Sequence, residues 1–168
     1  VRGPVCSTHG VHFFVGTLSR FAARLNSGVR QLMDSSWTTQ LLGRSVEAVE
    51  QWEALPCVVK LSGGYRIQIE CIWRLLSNGN LALTSDDDGQ RFGHKNPIDA
   101  ISELSKHLVG CFLSTVDVAP GTADLILGFG QHTLQAISNS SGYEAWQVEG
   151  PQNMVAVGQG GGNVAVWG

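Results

Sequence analysis

Tyr143-Glu144-Ala145-Trp146 sets two aromatic rings and a carboxylate within four residues. In an extended strand alternate side chains point to opposite faces, so Tyr143 and Ala145 share one face and Glu144 and Trp146 the other. A ring beside a carboxylate can frame a ligand. The same residues can also fill a core, with Trp146 inside and Glu144 at an edge. A second group lies upstream in residues 85–96, SDDDGQRFGHKN. Asp86, Asp87 and Asp88 offer carboxylate oxygens of the kind calcium takes, but Gln90 and Arg91 stand where a tight calcium loop needs further ligands. His94 makes acid–base chemistry with these carboxylates conceivable, although no spacing rule pairs them. The run Gly158-Gln159-Gly160-Gly161-Gly162 could cradle a phosphate with backbone amides. It lacks the Lys-Ser/Thr of a P-loop and leads into no helix, which favours a hairpin loop that needs positive φ.

Other pairings are thinner. His107 and Cys111 are one helical turn apart and could share a metal, but a site needs two more ligands. Cys6, His9 and His12 are also short of partners. No Gly-x-Ser-x-Gly occurs, and Cys57, Cys71 and Cys111 lie in apolar strands, where a thiol is held protonated and inert. Of the five tryptophans, Trp73 and Trp146 read as core. Trp37 and Trp52 lie in polar surroundings and read as exposed, where an amphipathic ring serves contacts. Residues for binding a ligand or partner are therefore Tyr143, Glu144, Trp146, His94, Asp87 and Trp52. No catalytic residue, metal or cofactor is assigned.

The elements that would position these groups are mostly strands. CVVKL, YRIQIECIW over residues 65–73, and the return strand after Asn78-Gly79 alternate or are valine-rich. Ser62-Gly63-Gly64 and Asn78-Gly79 mark hairpin turns, and a further hairpin turns at Gly130-Gln131. Residues 111–119 read as a strand, as do short segments within 144–148, 154–157 and 164–167. Residues 45–51 are ambiguous between helix and strand. One helix is expected over 97–109, with Asn96 as N-cap, Pro97 at its first position and Gly110 closing it. The expected fold is α+β: nine or ten short antiparallel strands, barrel- or sandwich-like, with the helix on one open face.

Length and composition narrow the class. The 168 residues suit one domain. Apolar residues make up 43% and charged residues 15%, too apolar for disorder. A net charge of −3 argues against a nucleic-acid binder. No apolar run is long enough to span a bilayer. Sparse cysteines without a CxxC read as thiols of a reducing, cytoplasmic setting. Residues 1–33 carry four arginines and no acid. They form an N-terminal arm, a targeting segment or a non-native extension, beside a β-rich domain over 40–168. The acidic body suits a basic protein partner.

Gly43-Arg44-Ser45-Val46, Ile67-Gln68-Ile69-Glu70, Tyr143 to Trp146, Gly150-Pro151, Gly160 to Gly162 and Ala165-Val166-Trp167 together resemble a bacterial, largely actinobacterial, family of small β-rich domains of unknown function. The likeness covers about residues 41–167. It implies a shared fold and carries over no catalytic residue. Three functions follow as expectations: a non-catalytic interaction domain of the immunity-inhibitor or accessory-subunit kind, a small-ligand barrel or enzyme of unrecognised type, and a structural module pairing through an edge such as residues 164–167.

Overall fold

A computed structural model describes residues 37–52 and 55–168. The expectations for residues 1–33, including Cys6, His9 and His12, lie outside the described residues. Hydrophobic alternation resolves into eleven strands: β1 (Val46–Trp52), β2 (Leu55–Leu61), β3 (Tyr65–Ile69), β4 (Ile72–Ser77), β5 (Asn80–Thr84), β6 (Thr115–Val118), β7 (Leu125–Phe129), β8 (His132–Ile137), β9 (Trp146–Glu149), β10 (Val155–Gln159) and β11 (Asn163–Trp167). They form two antiparallel sheets that do not close into a barrel, ordered β1-β2-β3-β9-β10-β11 and β5-β4-β8-β7-β6. The count exceeds the expected nine or ten because the run over residues 65–73 breaks. Its alternation continues, but Glu70 and Cys71 carry the chain from the first sheet to the second.

The turns follow local chemistry. Asn78 and Gly79 both have positive φ, 50° and 78°, the backbone twist that a two-residue hairpin requires, and they join β4 to β5. Residues 45–51 resolve as β1, and residues 37–41 ahead of it are helical. Residues 111–113 are not strand as expected. Their backbone is taken by the segment ahead of β1: Gly43 N–H bonds the Leu113 carbonyl at 2.8 Å, and Leu113 N–H bonds that of Arg44 at 2.9 Å.

The helix α1 spans Ala100–Leu108, three residues shorter at its start than expected. Asp99, not Asn96, is the N-cap; its carboxylate accepts from Ser102 N–H at 2.8 Å. Asp88 accepts from Ala100 N–H at 3.0 Å, so two carboxylates satisfy amides of the first turn. The face made by Ala100, Leu104 and Leu108 is buried. Between the sheets lie Val59, Ile67, Ile69 and Trp146 from one side and Trp73, Leu75, Leu127 and Leu134 from the other.

Candidate functional site

Residues 89–98 fold back on themselves. Gly89 N–H bonds the Ile98 carbonyl, and Ile98 N–H that of Gln90, both at 2.8 Å. The arm so closed holds Phe92 out in solvent, 69% exposed, and lays His94 and Lys95 along a cleft of about 530 Å³. Opposite stand Glu103 and His107 of α1, and Ala82, Leu83, Pro97 and Ile98 supply apolar walls. Glu103 and His107 reach the same cleft because residues four apart lie on one helix face. Glu103 also pairs with Lys106 at 2.6 Å.

Behind His107 stands His132, their rings 5.1 Å apart and edge to face. His132 is buried, and its Nδ1 has no hydrogen-bond partner among the described residues. Burial, then the neighbouring His107, pushes its pKa below the ordinary imidazole value. Burial thus favours the neutral form of His132, which stands behind an imidazole that lines the cleft.

The sequence-expected residues fall in separate places. His94 lines this cleft. Asp87 closes the 3-10 turn Ser85–Asp87, accepting from Thr84 N–H at 2.8 Å, so with Asp88 at the helix start two of the three carboxylates serve backbone amides. Trp52 lies on the outer face of the first sheet. Its indole donates to Glu50 Oε2 at 2.9 Å, with Lys60 and the Arg66 guanidinium each 5.7 Å from its ring. Lys60, then the Trp52 hydrogen bond, holds the Glu50 carboxyl below the usual range.

Tyr143 and Glu144 precede β9 rather than belonging to a strand, and Tyr143 is 81% exposed. Trp146 points the other way. It is fully buried, stacks at a tilt 5.8 Å from Trp37, and donates to the Ala123 carbonyl at 2.7 Å. That bond ties β9 to the segment entering β7, across the two sheets. Trp37 is buried too, against the expectation of exposure, because it completes this pair.

Other readings resolve in the same terms. The Cys111 thiol donates to the His107 carbonyl at 3.3 Å, the local bond that their spacing permits. Cys57 and Cys71 are buried, and burial pushes their thiols up to about 12 and about 11. Both are held protonated and unreactive. Among the described residues no group of three His, Cys, Asp or Glu side chains could hold a metal. In the glycine run, a Cβ on Gly160 would meet the backbone of Gly142 at 2.7 Å, and one on Gly162 would collide with Gly121. The run is a junction of three loops.

A second concavity, of about 330 Å³, opens on the outer face of the second sheet. Ile72 of β4 pairs with Ile137 of β8; both line it, with Asp86, Asp124 and Arg74 around them. Ile72 is 41% exposed. Glu70 is exposed nearby, close enough that its charge and that of Asp124 add to the rise at Cys71. Arg74 is engaged by Gln135 at 2.5 Å.

A family of unknown function, DUF6188, matches residues 37–168. The chain belongs to that family. No curated protein and no solved structure matches it. The family match covers all described strands and both concavities, and brings no assigned reaction with it. No described helix is long and apolar enough to cross a membrane. Of the polar residues along this cleft, the sequence points to His94 and does not group it with Glu103 and His107. The i, i+4 spacing of Glu103 and His107 is the signal in the sequence that places them on one helix face.

Proposed function

We propose that this family member is a non-catalytic protein-binding module, of the bacterial immunity-inhibitor or accessory-subunit kind, acting in the cytoplasm on a basic partner. The observation that carries the reading is the concavity around Ile72 and Ile137, an apolar centre bordered by Asp86, Asp124 and Arg74, with the Glu70 carboxylate close by. Interfaces with an apolar middle and a charged rim bind through the middle and steer through the rim. The family-matched region supports the same sign of partner: residues 37–168 hold seven basic and thirteen acidic side chains, a net of −6.

Capture from lysate of the source, with the full chain as bait, tests this at low and high salt. A basic partner should be retained at low salt, released at high salt, and weakened about tenfold or more by Asp86→Lys or Ile72→Asp. A partner indifferent to salt and to both variants would sink the reading.

A second reading has its own observation. His94, His107 and Lys95 border one cleft with apolar walls, and its one carboxylate, Glu103, is paired with Lys106, which suits a small organic anion. Titrating the full chain with a set of small carboxylates and following the imidazole resonances tests it. Shifts confined to His94 and His107 support the cleft; none at millimolar ligand removes it.

A further inference from the structure

The two sheets have four edge strands: β1, β11, β5 and β6. An edge offers unpaired N–H and C=O groups to any other strand, and folded proteins blunt edges with bulges, charges or brevity. Three of the four are blunted. β1 breaks register with β2 twice and carries Glu47 and Glu50. β5 has a register break against β4. β6 has four residues, one of them Asp117. β11 has none of these devices: its five residues, Asn163-Val164-Ala165-Val166-Trp167, keep unbroken register with β10 and include no charge and no proline.

The direction of its free groups follows from the neighbouring strands. Gly158 accepts from Ala145 N–H at 2.8 Å, on the β9 side. Backbone groups alternate sides along a strand, so Val155, Val157 and Gln159 turn toward β11. Their partners Trp167, Ala165 and Asn163 turn back toward β10. Val164 and Val166 therefore direct N–H and C=O outward, where no described strand pairs with them. Their side chains are half-buried against the core.

We propose that β11 pairs antiparallel with β11 of a second copy of this chain, across a twofold axis at Ala165. The outward residues lie two apart and symmetric about Ala165, so Val164 of one copy faces Val166 of the other. Every outward N–H of these residues then meets a carbonyl, and two six-stranded sheets run on as one. The valines gain cross-strand neighbours on the core face. Ala165 meets its own copy at the axis on the opposite face, where a small side chain fits. The occupant is a second copy because the seam is self-complementary and uncharged. An uncharged seam sets no like charges of two acidic bodies against each other, and it offers nothing to the charges of a basic partner. The seam lies on a different sheet from the acidic concavity, so the dimer is independent of the function proposed above.

Sedimentation velocity of the full chain from ~1 to ~200 μM tests it, a range suited to a small, weak interface. The wild type should pass from monomer to dimer. Ala165→Lys sets two ammonium groups against each other at the axis and should raise the dissociation constant at least ~10-fold. Val166→Pro removes one outward donor without touching the β10 pairing and should act the same way, with circular dichroism confirming that both variants fold. A wild-type monomer over the whole range, or a dimer unchanged in both folded variants, would overturn the proposal.

Discussion

The C-terminal run over residues 143–167 and the polar arm over residues 89–98 are opposites in what their side chains do. The run holds the more distinctive residues, and those at its tightest points are spent on packing: Trp146 inside the sandwich, glycines where loops or rings come close, while Tyr143 and Trp167 stay exposed. The arm is short and polar, its backbone closes on itself through Gln90 and Ile98, and its side chains are left to line a cleft. Distinctive residues mark this fold where space is tight; accessible chemistry lies where the backbone is held mainly by its own bonds.

That contrast can be broken at several points. Trp146→Ala should have the largest effect, a loss of ~3–5 kcal/mol from the emptied core and the lost bond to Ala123, read from denaturant unfolding. A variant near wild-type stability would show that the tie between the sheets is dispensable. Gly158→Ala is expected to cost ~1–3 kcal/mol by overpacking, because the added methyl would collide with the Trp146 indole. A neutral result there would mean that the ring shifts freely.

On the arm side, Asp99→Ala should cost ~1 kcal/mol through the lost helix cap, visible in thermal melts, without moving His94. Smallest of all, Tyr143→Ala should stay within ~0.5 kcal/mol of wild type, as expected of an exposed side chain. A large loss would place that ring in the packed half of the comparison.

His132 sharpens the contrast through pH. Its folded pKa lies below the ordinary value of 6.5, so the unfolded chain takes up the proton first. Its contribution is therefore whole above that value. It declines as pH falls below it, by at most ~1.4 kcal/mol per pH unit, and levels off below the folded pKa. Unfolding followed across that window should show the slope, and His132→Leu should flatten it.

Much of the fold was legible because turns and alternation are local. Asn78-Gly79, Ser62-Gly63-Gly64 and Gly130-Gln131 each mark an observed hairpin. The crossing at Glu70-Cys71 was not, because Tyr65, Ile67, Ile69, Cys71 and Trp73 keep one period through it. Periodicity reports which side is apolar and is silent on which sheet a strand joins. The helix start slipped from Asn96 to Asp99 because Asp99 caps the first turn itself and Asp88, distant in sequence, bonds that turn as well. The cleft was half legible for the same reason: His94 and His107 meet only through the arm's tertiary path.

The place where the chain changes sheets also bears on the order of assembly. β3 and β9 are neighbours although Gln68 and Glu149, bonded across them, stand 81 positions apart. Closing so long a loop directly is entropically costly and slow. The second sheet is one uninterrupted stretch, and its pairing of Ile72 with Ile137 brings the two ends of that loop together. Once it forms, only the short segments on either side remain to be closed. The second sheet then works as an internal clasp for the β3–β9 pairing, the step of the first sheet that loop closure alone would leave to the end.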